Sequence, residues 1–93
     1  MGESGMSEQR ASIELQIRLF AHLRAQVGAA TLPVRVPGGI TVGELLEHLR
    51  RAYPMLEPWL PTTRVAVNYE YATRQTPLKA GDEVALIPPV SGG

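Results

Sequence analysis

From Ile13 the chain alternates: Ile13, Leu15, Ile17 and Leu19 are apolar, and Glu14, Gln16 and Arg18 between them are polar. A period of two predicts a strand with one buried face. The pattern breaks at Phe20, after which Phe20, Leu23 and Val27 recur at helical spacing and Gly28 offers a C-cap, so a short helix follows. Residues 31–36 lean to strand again, but Pro33 has no N–H to give a ladder, which assigns this strand to a sheet edge. Pro37-Gly38-Gly39 reads as the turn that closes it.

The next segment carries the clearest helix start. Thr41 and Glu44 have the spacing of a capping box, in which each side chain satisfies the other's backbone donor. Val42, Leu45, Leu46, Leu49 and Tyr53 then share one face, while Glu44, Glu47, Arg50 and Arg51 face water. Glu47 and Arg51 are spaced for an i,i+4 ion pair, and Pro54 ends the helix at Tyr53. Residues 55–61, with Leu56, Trp59 and Leu60 between prolines, predict a packed turn. A short strand over 64–68, a turn into another short strand by Tyr71, and a tight turn over 77–82 come next. Val84-Ala85-Leu86-Ile87 is continuously apolar, as expected of a central strand buried on at least one face. A two-layer α+β domain follows, a mixed sheet with one main amphipathic helix on one face and the last strand beside the first.

Composition narrows the function more than the fold. Ninety-three residues with 44% apolar content suit one small domain with a real core. Nine basic residues balance nine acidic ones, which removes the electrostatic footprint of a nucleic-acid binder. Eight of the nine are arginine, with Lys79 the single lysine, and this reads as compositional bias. Cysteine is absent, excluding disulfides, thiolate metal sites and a thiol nucleophile. No stretch approaches the roughly 20 apolar residues of a membrane span and no signal-peptide core is present, so a cytoplasmic protein is expected. The expected organisation is a polar leader over 1–12, a domain over 13–87, and an extended tail over 88–93.

Candidate chemistry is sparse. His22 and His48 are expected at the surface, the carboxylates at scattered exposed positions, and Trp59, Tyr69 and Tyr71 in packing roles, with a partner-facing tyrosine as the less favoured option. Asp82-Glu83 reads as turn chemistry. No shared acid/base pocket, metal set or phosphate loop is called for. The informative segment is Pro88-Pro89-Val90-Ser91-Gly92-Gly93. Two prolines favour a stiff exit from the sheet, the glycines make a sterically bare end, and six residues reach roughly 20 Å. A carboxylate with a pKa near 3.5 is a poor electrophile at neutral pH. It reacts only after activation, for example as an acyl-adenylate made by an external ATP-dependent enzyme. The apolar last strand raises a second expectation: one helix layer covers one face only, so part of Val84, Ala85, Leu86 and Ile87 is open for docking, with parity undetermined.

Phe20-Ala21-x-Leu23-Arg24-x-x-x-Gly28, Thr41-Val42-x-x-Leu45-Leu46, Val67-Asn68 and, above all, Leu78-x-x-Gly81-Asp82-Glu83-Val84-Ala85-x-Ile87-Pro88-Pro89-Val90-Ser91-Gly92-Gly93 resemble the small, sulfur-carrying subunit of molybdopterin synthase. That family is β-grasp, or ubiquitin-like, and the resemblance spans residues 13–93. It implies that Gly93 becomes a glycyl adenylate and then a thiocarboxylate, with Pro88, Pro89, Val90, Ser91 and Gly92 contacting partners. The sulfur then passes to cyclic pyranopterin monophosphate. It further implies no bound cofactor or metal, ATP consumed by an adenylating partner, a sulfur donor, and a large synthase subunit with which the chain forms a heterotetramer. Carriers for thiamine synthesis or tRNA thiolation share the tail chemistry, and a ubiquitin-like modifier joined to lysines is the reading from another class. A plain interaction domain leaves the ending unexplained.

Overall fold

A computed structural model describes residues 11–89. The leader residues 1–10 and the tail residues 90–93 lie outside them, so the expectations placed on Val90, Ser91, Gly92 and Gly93 and on most of the leader are outside the described structure.

Five strands form one mixed sheet: β1 (Ser12–Leu19), β2 (Thr31–Pro37), β3 (Arg64–Val67), β4 (Glu70–Tyr71) and β5 (Glu83–Ile87). Their spatial order is β2-β1-β5-β3-β4. β1 pairs antiparallel with β2, with Gln16 opposite Pro33, and parallel with β5, with Ile17 opposite Val84. β3 runs antiparallel to both β5 and β4. The last strand is therefore central and lies beside the first, as its apolar run predicts. Pro33 sits on the β2 edge, where a missing N–H breaks no inner ladder.

Two helices lie over one face: α1 (Ala21–Val27) and α2 (Val42–Ala52). α1 ends at Gly28, whose φ of 86° allows its N–H to reach the Arg24 carbonyl at 2.8 Å. The α2 capping box forms as its spacing requires, with the Glu44 amide donating to Thr41 Oγ1 and the Thr41 amide to Glu44 Oε1. Two 3-10 turns, Pro54–Leu56 and Leu60–Thr62, make up the packed turn and bury Leu56 and Leu60.

The core lies between this layer and the inward face of the sheet. Leu15, Ile17 and Leu19 of β1, Leu32, Val34 and Val36 of β2, Val65 of β3, and Val84 and Leu86 of β5 meet Leu23, Val42, Leu45, Leu46 and Leu49 of the helices. This is the β-grasp arrangement, with helices on one face of a mixed sheet.

Three local expectations need correction. Glu47 pairs with Arg50 at 2.9 Å and not with Arg51, because Arg50 is also drawn towards Glu57 at 3.5 Å, where the chain folds back after Pro54. His22 is half-buried. Its ring lies 4.3 Å from that of Trp59, and its Nε2 is enclosed without a hydrogen-bond partner. His48 is exposed, as expected. Asp82 is buried at 6% exposure, whereas the pattern had left every carboxylate at the surface; its hydrogen bonds, given below, are what permit this.

Candidate functional site: the open face of the sheet and the tail exit

β5 divides its side chains between two faces. Val84 and Leu86 are fully buried under the helices, while Ala85 and Ile87 point the other way and remain partly exposed. Among the described residues no helix covers that second face. Ala85 and Ile87, with Ala66 from β3, line a shallow groove of about 290 Å³ bordered by Phe20, Tyr69, Tyr71, Arg18 and Glu83. Phe20 is 39% exposed, Tyr71 67% and Tyr69 81%, so three of the four large exposed hydrophobic residues described stand on this one groove. The parity left open by the sequence is settled: residues 85 and 87 face out. The packing role expected of Tyr69 and Tyr71 is not what the structure gives: Tyr69 lies in the β3–β4 turn and Tyr71 on the two-residue edge strand β4, and both are exposed. Trp59 does pack, against the core and His22.

Charged groups fix the rim. Arg18 Nη1 donates to Glu83 Oε2 at 2.8 Å across the β1–β5 pair, and the Tyr69 hydroxyl donates to Glu83 Oε1 at 3.2 Å. The Arg18 guanidinium, by its hydrogen bond, holds the Glu83 carboxyl below the ordinary carboxylate range; desolvation opposes this, and the Tyr69 hydroxyl adds a lesser lowering. Arg18 also lies 5.7 Å over the Phe20 ring and Arg64 5.4 Å over the Tyr71 ring, close enough for cation–π attraction.

Beneath the rim a second set of bonds ties the β3–β4 turn to the loop before β5. The Asn68 side chain donates to Asp82 Oδ1 at 3.0 Å and accepts from the Glu83 amide at 3.0 Å, and the Asn68 amide donates to the Glu83 carbonyl at 2.8 Å. Asp82 Oδ2 accepts from the Lys79 amide at 2.8 Å, with Lys79 Nζ 3.7 Å from Oδ1. Burial pushes the Asp82 carboxyl up, but the Lys79 amide, the Asn68 side chain and the Lys79 ammonium together outweigh it and leave it below its ordinary value. What reads as turn chemistry in the sequence is therefore a buried clasp.

The backbone is strained around this groove. Among the described residues, the non-glycine positions with positive φ are Ala21 (53°), Asn68 (53°) and Tyr69 (72°). Ala21 follows Phe20, and Asn68-Tyr69 is the two-residue turn between β3 and β4. Both central residues of such a turn need positive φ, which Asn accepts and which glycine ordinarily supplies at the second position. Left-handed backbone costs an ordinary residue roughly 1–2 kcal/mol.

Pro88 follows directly from Ile87 at the end of the central strand and is buried, and Pro89, the last described residue, is exposed. Among the described residues no cluster of three or more metal-ligating side chains exists, and no helix is long and apolar enough to cross a membrane. Sequence reasoning placed partner contact on the tail and on unspecified residues of β5. It missed Phe20 and Arg18 and held a partner-facing tyrosine only as the less favoured option, and the signal that could have found them was the outward parity of Arg18 on an alternating strand.

A helix layer on one side of a mixed sheet and an open apolar groove on the other, with the last strand at the centre, define a ubiquitin-like domain. The family comparison agrees: the ThiS family matches residues 17–93, and the chain belongs to that family, the β-grasp sulfur carriers that include the small subunits of molybdopterin synthase. It is 36% identical over 87 residues to the molybdopterin synthase sulfur carrier subunit of Arabidopsis thaliana, covering 94% of this chain and 91% of that protein. The crystal structure of Haloferax volcanii small archaeal modifier protein 1 superposes with a TM-score of 0.76 at 36% identity, covering 84% of this chain and 99% of that one. A subunit from the complex of subunits 1 and 2 of the molybdopterin-converting factor of Helicobacter pylori matches with a TM-score of 0.65 at 26% identity, covering 87% of this chain and 100% of that one. At the level the family fixes, the chain is a small sulfur-carrier, ubiquitin-like subunit that acts with a separate catalytic partner.

Proposed function

We propose that this protein carries sulfur for molybdenum cofactor synthesis on the carboxylate of Gly93. An ATP-dependent adenylating enzyme converts that carboxylate to an acyl-adenylate. A sulfur donor displaces AMP and leaves a thiocarboxylate, and the tail, through Pro88, Pro89, Val90, Ser91 and Gly92, enters a large synthase subunit where sulfur passes to cyclic pyranopterin monophosphate. The observation that carries this reading is the sequence Pro88-Pro89-Val90-Ser91-Gly92-Gly93 following directly on the central strand. Two properties of the chain support it. A chain without cysteine handles sulfur only through some other group, and the terminal carboxylate is such a group. A bare diglycine end suits a narrow channel, and the open face of the sheet offers a partner an apolar contact beside it.

The Helicobacter pylori relative is described as part of a two-subunit complex, which supports a large-subunit partner here. We extend this to a heterotetramer with one carrier at each end of a large-subunit dimer, working in the cytoplasm.

Intact-mass measurement after incubation with ATP, the adenylating enzyme and a sulfur donor tests the reading. The expected product has sulfur in place of one terminal oxygen, and Gly92→Val stays folded but is not loaded. Loading of Gly92→Val at the wild-type rate refutes the role given to the tail.

A protein-modifier role is the second reading, favoured by 39% identity over 87 residues to small archaeal modifier protein 1 of Haloferax volcanii. It predicts isopeptide conjugates to lysines of other proteins, whereas the carrier reading predicts free protein and co-purification with the large subunit.

A further inference from the structure

Tyr69 is held in a conformation the fold does not need. Its φ of 72° falls at the turn position where glycine is the unstrained choice. Strain of this kind persists where something else requires the side chain, and it gathers at functional sites. Packing is not the requirement, because Tyr69 is 81% exposed. Nor is closure of the turn, since Asn68 alone makes the three bonds to Asp82 and Glu83 that fasten it to β5. What the side chain does is stand at the rim of the groove, its hydroxyl on Glu83 and its ring beside the apolar floor of Ala66, Ala85 and Ile87.

We propose that Tyr69 is the pre-positioned aromatic anchor by which the protein that receives the tail recognises the open face of the sheet. This rests on the carrier reading above. The occupant follows from where the chain goes. Gly93 is only four residues beyond the exposed Pro89, a reach of at most roughly 14 Å. A protein that encloses Gly93 is therefore brought up to the Ile87 end of the groove. Glu83, which holds Tyr69, is four residues earlier on the same strand, about 13 Å away. That is inside the footprint of a standard interface of about 800 Å² per partner. The groove takes an aliphatic side chain of that partner. Tyr69, with two side-chain torsions and its hydroxyl already tied to Glu83, loses little freedom on contact, the property that makes tyrosine frequent among binding hot spots.

The test measures affinity of the full chain for the large synthase subunit of the same organism, alongside thermal unfolding, for wild type, Tyr69→Gly, Tyr69→Phe and a chain lacking Gly92 and Gly93. Tyr69→Gly is expected to bind about 10- to 30-fold more weakly, while its unfolding midpoint stays level or rises as the strain is removed. Tyr69→Phe, which keeps the ring, loses less than Tyr69→Gly. The tail-less chain keeps measurable binding, and that residual binding is weakened again by Tyr69→Gly. Wild-type affinity in Tyr69→Gly overturns the inference and leaves the carrier reading standing. A lowered midpoint with unchanged affinity overturns it as well, by assigning Tyr69 to the fold. If wild type does not bind the large subunit at all, the carrier reading fails and this inference fails with it.

Discussion

The two faces of the sheet are built from the same strands and serve opposite ends. On the closed face Leu15, Ile17, Leu19, Val84 and Leu86 are at most 1% exposed and form the floor of the core. On the open face the neighbouring residues Arg18, Ala85 and Ile87 remain reachable, bordered by Phe20, Tyr69 and Tyr71. Burial on one side stabilises the fold. Apolar surface left open on the other contributes little to folding, and the three strained non-glycine residues described lie near it, Ala21 next to Phe20 at the start of α1 and Asn68 and Tyr69 in the β3–β4 turn. One strand, β5, belongs to both faces and then continues into the tail. The central strand thus carries the open face and leads into Pro88 and Pro89 on the same piece of backbone.

Substitutions on the two faces should separate these roles, and they are ordered by their effect on the fold. Leu86→Ala removes a fully buried side chain from the closed face and should cost about 2–5 kcal/mol in denaturant unfolding. A loss below about 1 kcal/mol would break the contrast between the faces. Asp82→Asn puts an amide where Oδ1 and Oδ2 now accept from Asn68 and Lys79, and should cost about 1–3 kcal/mol near neutral pH.

The same position gives a pH signature. The folded carboxyl titrates below its ordinary value, so its stabilisation is fully present above the unfolded pKa of about 3.9 and is lost as pH falls through the folded value. The stability gap between wild type and Asp82→Asn should therefore be widest above about pH 5 and close towards pH 2. Unfolding midpoints followed over that range check it, and a gap that widens in acid would contradict the clasp.

Thr41→Ala removes the capping oxygen of α2 and should cost about 1 kcal/mol, with partner binding unchanged. Ile87→Glu has the smallest expected effect on folding, within about 1 kcal/mol, because residue 87 faces out opposite Arg64. It places a charge on the groove floor, so loss of binding to the large subunit without loss of stability is the expected result. Equal damage to folding from Leu86→Ala and Ile87→Glu would remove the distinction between the faces.

Much of the fold was legible because its signals are local. The alternation over β1, the capping box of Thr41 and Glu44, the proline ending α2 and the glycine ending α1 each act within a few residues. Pro33 marked an edge strand for a reason visible in its own chemistry. The features that were misread depend on distant partners. Asp82 is buried because Asn68, fourteen residues earlier, turns its side chain onto it. Arg50 chooses Glu47 and draws near Glu57 because the chain reverses after Pro54. His22 leaves the surface because Trp59, from the turn between the two 3-10 segments, packs tilted against its ring. Tyr69 and Tyr71 carry the composition of packing residues, yet end in solvent because one sits in the β3–β4 turn and the other on β4, the edge strand of the sheet.

The sequence by itself determined the element types, the domain class, the exclusion of thiol chemistry and the segment Pro88-Pro89-Val90-Ser91-Gly92-Gly93, since periodicity, composition and backbone restriction are properties of neighbouring residues. Only the tertiary structure decided which face of the last strand is open, which aromatic residues border it and where strain is held. Those depend on strand register and on which layer covers which face, and both are set by contacts between residues far apart in the chain.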